Sequence, residues 1–340
     1  MARNKPTLSI LAAVAALVGV GASVHVSAQT APAPVSISIA TLAPAGSTWM
    51  NVFDAWNREI RRESAKINQP MRFQFFPGGV QGDESEVIRK IRSGRLDGAA
   101  VTAVGLAQVH RPALAFQAPG MFTAYGPLDS ARQALHSELN TAFNAGGFEL
   151  IGWADVGQAR IFSQSAVRTP AELATQRPWV WRDDQVMPLF YQIIRANPVT
   201  LQVPEVLSAL QTNRINAVVT SAPVAVQLQW ASRMTHMTDM PMYTTIGATV
   251  IGQQKYRTLT PQQQQLLRTT GANYHQLARG ALRRAEQQAL QSLSARGITV
   301  VNVDAAQRAL WAQAFAQTRA RITGQIADAA FMSRVAGFTR

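Results

Sequence analysis

The chain of 340 residues contains no cysteine. Disulfides, thiolate metal centres and a cysteine nucleophile are therefore excluded. Histidine is scarce: His25, His110, His136, His236 and His275 are the whole set, and no two stand three or four residues apart. That leaves no helical His pair to seed a metal site, so no metal and no cofactor is expected. No G-x-S-x-G elbow marks a serine nucleophile. Acidic residues number 19 against 32 basic ones, for a net charge of +13. The basic residues are scattered arginines, such as Arg58, Arg61 and Arg62, or Arg279, Arg283 and Arg284, with no run of five. They read as solvated helix faces, and no nucleic-acid motif accompanies them.

Long apolar runs are absent except for residues 8–24. Arg3 and Lys5 precede that run and Val26-Ser27-Ala28 follows it, the pattern of a signal peptide with a small-x-small cleavage site. Residues 1–28 thus read as a Sec signal peptide cleaved near Ala28; a retained anchor is the alternative, at the lower limit of spanning length. Loss of Arg3 and Lys5 leaves a net charge of +11. An exported chain free of cysteine fits a bacterial periplasm, and 47% hydrophobic residues supply a core that needs no disulfide.

After a short linker (QTAPAP) the chain alternates between strand and helix patterns. Apolar residues with period two mark strands at 35–41, 71–76 and 98–103; helical periodicity falls between them, as in Trp49, Val52, Phe53, Trp56 and Ile60. That order implies parallel strands with right-handed crossovers. Further strands are expected at 148–153, 161–163, 179–181, 199–203, 217–220 and 245–252, with a helix over 224–234. Thr260-Pro261-Gln262-Gln263 opens a helix that runs to about residue 295, long enough to span two lobes. The pattern suggests two α/β lobes and a hinged clamshell, with ligands at the carboxyl ends of strands.

Two local features invite chemistry. The turn Pro77-Gly78-Gly79-Val80-Gln81-Gly82 lies between a strand and a helix, the setting of a phosphate loop, but Asp83 and Glu84 occupy the helix start themselves. They read as caps that complement the helix dipole. The stretch TQRPWVWRDD is more telling. Along a strand, Arg177, Trp179 and Trp181 share one face. Paired indoles at the carboxyl edge of a strand make a flat apolar wall; packing of both rings under helices is the alternative.

The segments IATLAPAGSTW, FFPGGVQGDESEVIRKIRSGRLDGA, RTPAEL, LQTNRINAVVTSAP and QLQW, in this order, resemble the DctP-type substrate-binding proteins of TRAP (tripartite ATP-independent periplasmic) transporters. The resemblance covers nearly all of the chain after residue 28. It implies an α/β, two-domain periplasmic-binding-protein-like clamshell with a long spanning helix. It also implies capture of a small ligand for a membrane permease pair, without enzymatic activity. The expected division is residues 33–155 with 246–285 as the first domain and 156–245 with 286–340 as the second.

The family's mark is an arginine on the strand after a t-P-x-D-L helix, in a G-x-K-I-R-like context. Alignment of Thr169-Pro170-Ala171-Glu172-Leu173 with that pattern puts Trp179 where the arginine stands and Arg177 where lysine stands. The chain resembles a Trp-rich sub-branch, some members of which pair with a periplasmic tetratricopeptide-repeat protein. An indole in place of a guanidinium removes a bidentate carboxylate contact and adds apolar surface. The expected ligand is apolar or amphipathic, such as an aromatic or fatty acid or a lipid-like molecule. Expected lining residues are Trp179, Trp181 and Trp153 for stacking, with Arg182 or Arg160 at the polar end. Leu42, Trp49 and Ser221 would lie in closing segments, and Gln229 and Trp230 on the helix after Pro223. A ligand-sensing receptor subunit and a secreted hydrolase are the rival functions.

Overall fold

The computed structural model describes residues 33–339; the expected signal peptide lies outside them. Residues 33–339 form one compact unit. Ten strands are assigned among them: β1 (Val35–Thr41), β2 (Met71–Phe76), β3 (Gly98–Thr102), β4 (Phe148–Ser163), β5 (Trp179–Trp181), β6 (Val199–Leu201), β7 (Ala217–Ser221), β8 (His236–Thr238), β9 (Tyr243–Gly252) and β10 (Thr299–Val301). The main sheet runs β10-β8-β4-β9-β3-β1-β2, with β7 also paired to β4; β5 and β6 form a separate parallel pair.

β1 pairs in parallel with β2 and β3, as the alternating sequence pattern implies. β9 then joins β3 and β4 antiparallel, closing one lobe. The far end of β4 pairs with β7 and β8 in the other lobe. β4 therefore runs through both lobes as one 16-residue strand, where the sequence pattern suggests two short ones. Register shifts at Leu150/Gly152 and Asp155/Gly157 break the period-two signal in its middle. Gly152 has a packing reason: a Cβ there would lie 2.5 Å from the His275 ring.

The helix Pro261–Ser292 is 32 residues long, about 48 Å at 1.5 Å per residue. Its capping box joins Thr260 and Gln263, and Pro261 occupies the first turn. It lies along β4 and beside the helix Thr48–Lys66, to which Trp56 Nε1 ties it by donating to Thr270 Oγ1 at 2.9 Å. Two helices, Tyr125–Ala134 and His136–Ala145, have no counterpart in the sequence reading; neither starts with a side-chain cap, so the usual start signal is missing. The expected helix over 224–234 is instead Ala222–Gln227 followed by a 3₁₀ turn at Trp230–Arg233. Gln229 separates them with φ +62°, a left-handed conformation that ends a helix. The last helix, Ala329–Gly337, packs Phe331, Met332 and Val335 with Phe116 and Leu128 of the first lobe. Among the described residues no helix is long and apolar enough to cross a membrane.

Candidate ligand-binding site

A cavity of about 160 Å³ opens where the carboxyl ends of β1, β3, β5 and β7 meet the crossing strands β4 and β9. Its first side is Leu42 and Trp49, after β1, with Phe53 one turn along the next helix. Its second side is Trp179 and Trp181 of β5 and Trp230 of the 3₁₀ turn. The strand alternation that puts Trp179 and Trp181 on one face brings their rings into a stack, 6.1 Å between centroids at 29°. Trp230 meets Trp179 edge-on, 5.2 Å away at 72°. Tyr191 and Tyr243 complete the aromatic lining.

The indole N–H groups of three lining tryptophans are already taken by protein acceptors. Trp49 Nε1 donates to the Asp155 carbonyl at 3.2 Å, and Trp179 Nε1 to the Leu201 carbonyl at 3.1 Å. Trp181 Nε1 donates to Asp83 Oδ2 at 2.9 Å. These rings therefore offer a ligand their faces, for stacking and apolar contact.

The charged lining groups are acids, alongside uncharged polar residues such as Thr41, Gln117 and Thr220. Glu84 is buried and accepts from Thr102 N, Thr102 Oγ1 and Gly105 N, each at 2.8 Å. Burial pushes its carboxyl up to about 8 despite those hydrogen bonds. Asp184 accepts from Val186 N and Met187 N, and burial raises it as well. Asp155 is fully buried and paired with Arg132 Nη2 at 2.7 Å and Arg283 Nε at 2.8 Å. Behind the lining, Asp83 accepts from Glu84 N, Trp181 Nε1 and Val203 N, and desolvation raises its carboxyl. The side-chain amide of Gln227 also lines the cavity, with Oε1 buried and unpartnered among the described residues.

Of the expected lining residues, Leu42, Trp49, Trp179, Trp181 and Trp230 come together here. The others sit elsewhere. Trp153 is buried in the first lobe between Phe116 and Phe143, at ring distances of 6.3 and 6.2 Å. Arg182 is half-exposed and paired with Glu205 at 3.3 Å. Arg160 is buried, donates to Gln158 Oε1 and stands 3.7 Å from Glu286, with Nε and Nη1 lacking hydrogen bonds among the described residues. Ser221 Oγ donates to the Val156 carbonyl at 2.7 Å, which ties β7 to β4. Gln229 is exposed at the helix break. The acids Asp83, Glu84 and Asp184 are the functional candidates the sequence pattern hides. Asp83 and Glu84 do start a helix as the pattern implies, but Glu84 also lines the cavity and Asp83 stands just behind it; the start of the helix that follows the carboxyl end of β2 is the signal that points there. Among the described residues no three His, Asp or Glu cluster as a metal site.

An aromatic-walled cavity at strand ends between two α/β lobes defines a solute-binding clamshell. The chain belongs to the DctP family, bacterial extracellular solute-binding protein family 7, whose model matches residues 39–324. Its fold is similar to a TRAP periplasmic solute-binding protein from Shewanella oneidensis with bound succinate: TM-score 0.84, 12% identity, 91% of this chain and 100% of that one. One from Citrobacter koseri with bound D-glucuronate gives TM-score 0.79 at 21% identity, over 88% and 98% of the chains. An extracytoplasmic solute receptor of Bordetella pertussis binding pyroglutamic acid gives 0.82 at 15%, over 90% and 100%. The chain is thus an extracytoplasmic solute-binding protein of the kind that serves TRAP transporters.

Proposed function

We propose that this protein captures a small organic molecule with an apolar body in the indole-walled cavity and presents it to a TRAP-type membrane permease. The observation that carries the reading is the stacked pair Trp179 and Trp181 on the cavity wall, with their N–H groups spent on protein acceptors. An indole offers up to about 200 Å² of apolar surface, and each 40 Å² covered by ligand contributes about 1 kcal/mol. The protein acts by binding, without chemistry on the ligand.

The two lobes are residues 33–155 with 246–285 and 156–245 with 286–340, and the last helix reaches back to the first. β4 and β9 cross between them, and the irregular register at Asp155/Gly157 is a natural flexing point. Closure around ligand is the state a permease would read. Residues 1–28 direct the chain to the periplasm and are removed near Ala28. A tetratricopeptide-repeat protein is a candidate second partner, by resemblance to the Trp-rich sub-branch.

Calorimetric titration of a panel of apolar and dicarboxylic ligands tests the reading. Binding of an apolar-bodied compound, weakened in Trp181→Ala, is expected. Micromolar binding of succinate or malate with no response to the apolar panel contradicts it.

A further inference from the structure

The cavity carries hydrogen-bond donors that the protein does not use. Gln117 is 6% exposed and lines it. Its Oε1 accepts Ile246 N at 3.0 Å, which identifies the other end of the amide as the NH₂ group. Tyr243, also 6% exposed, and Thr245 lie on the same face of β9 and line the cavity too. Ile246 follows Thr245, so Gln117 is held beside the same stretch of strand. Gln117 Nε2 and the hydroxyls of Tyr243 and Thr245 have no protein partner among the described residues, and none of them is fully enclosed. Three neutral donors along one strand call for an acceptor-rich group.

Charge decides which acceptor. Arg160 stands on β4 directly opposite Thr220, which lines the cavity. Arg160 is buried, its Nε and Nη1 are unpartnered among the described residues, and Nη1 reaches Glu286 only at 3.7 Å. Glu286 accepts from the Tyr125 hydroxyl and Gln158 N, and burial raises its carboxyl, so it offsets the guanidinium only in part. Positive potential therefore reaches the cavity from behind Thr220, and little water screens it there. The acids of the lining bring less charge than their number suggests. Burial pushes Glu84 up to about 8, so at pH 7 it is mostly protonated, and Asp184 is raised in the same direction. Asp155 is neutralised by Arg132 and Arg283.

We infer that the polar end of the ligand is a carboxylate and that Gln117, Tyr243 and Thr245 hold it by neutral hydrogen bonds, with no guanidinium in contact. This rests on the reading of the cavity as the ligand site. A carboxylate offers two oxygens with several acceptor positions, and each bond it accepts is charge-assisted. Arg160 favours the anion from a distance without touching it. The apolar body of the same molecule rests on the stacked faces of Trp179 and Trp181.

The test uses two matched pairs at pH 7, 3-phenylpropanoate with 3-phenylpropan-1-ol and octanoate with octanol. Each compound is titrated calorimetrically into the mature protein and its variants. The acid of at least one pair should bind at least about tenfold tighter than its alcohol. Tyr243→Phe and Thr245→Val each remove one hydroxyl and keep the shape. Each should weaken the acid by about three- to tenfold and the alcohol by less than about threefold. Gln117→Glu keeps an oxygen for Ile246 N and loses the donor, so it is expected to fold and to weaken the acid by at least about tenfold. Arg160→Lys keeps the charge and loses the planar fork, so the acid should bind within about threefold of wild type. A loss of more than about tenfold in folded Arg160→Lys assigns the carboxylate to the guanidinium and overturns the inference. An acid that binds no tighter than its alcohol, or an acid preference unchanged in all three donor variants, also overturns it; the cavity reading stands if Trp181→Ala still weakens binding. Binding in all arms that Trp181→Ala does not alter, or no binding in any arm, overturns both.

Discussion

The indole Nε1 of Trp181 donates to Asp83 Oδ2 at 2.9 Å, and the same oxygen accepts Val203 N at 3.2 Å. Asp83 caps a helix of the first lobe; Trp181 and Val203 belong to the second. Beside them Ser85 Oγ donates to Asp183 Oδ2 at 2.6 Å. The wall of the cavity and the contact that holds the lobes together therefore share one side chain. Trp181→Phe keeps a smaller aromatic face and removes the N–H. It should raise the ligand dissociation rate by about three- to tenfold, the value of one hydrogen bond, with little change in association rate. Stopped-flow fluorescence checks the split.

The two stacked indoles should respond differently to truncation. Trp181 is half-buried, so Trp181→Ala should lower affinity by roughly tenfold while the melting temperature falls little. Trp179 is 8% exposed, donates to Leu201 and packs on Trp230, so Trp179→Ala should cost about 3–5 kcal/mol of stability. Paired denaturation and calorimetry curves separate the two effects.

Asp155 is an ion-pair hub with no exposure, held by Arg132 and Arg283. Arg132 also donates to the Ala154 carbonyl, and Arg283 forks onto Asp129. Asp155→Ala leaves the buried Arg132 with only Asp129 and the Ala154 carbonyl as partners and should destabilise by about 2–4 kcal/mol. Chemical denaturation measures it, and a loss below about 1 kcal/mol would contradict the pairing.

Two buried groups shape the stability–pH profile with opposite signs. Burial lowers the His275 imidazole to about 4, and it is held between the Gly271 carbonyl and Thr249 Oγ1. The unfolded chain then binds more protons between about 4 and the ordinary value of 6.5, so stability falls as pH drops through that window. Burial raises Glu84 from 4.5 to about 8, so its contribution is full below 4.5 and is lost as pH rises through 8. Glu84→Gln should flatten the alkaline limb and leave the acid limb in place, read from melting temperatures between pH 4 and 9.

Much of this architecture is legible in the residues. β1 to β3 and the long helix carry clean period-two, helical and capping signals, and the spacing of Trp179 and Trp181 places both rings on one face. What stays hidden is what long-range packing decides. Gly152 and Gly157 interrupt the alternation of β4 because a side chain there would strike His275 or Ser221. Trp153 sits on a strand as Trp179 does, yet its ring turns into a cluster of phenylalanines. The acids of the cavity look like helix caps, and they are; only the approach of the second lobe gives Asp83 an indole to accept from.

The central claim is that indole faces recognise the ligand. Native mass spectrometry of the mature protein, purified without refolding beside Trp181→Ala, tests it most directly. The account predicts a retained small molecule with an apolar body on the wild-type protein and its loss from the variant. A retained dicarboxylate or sugar acid, present equally in both, would contradict it.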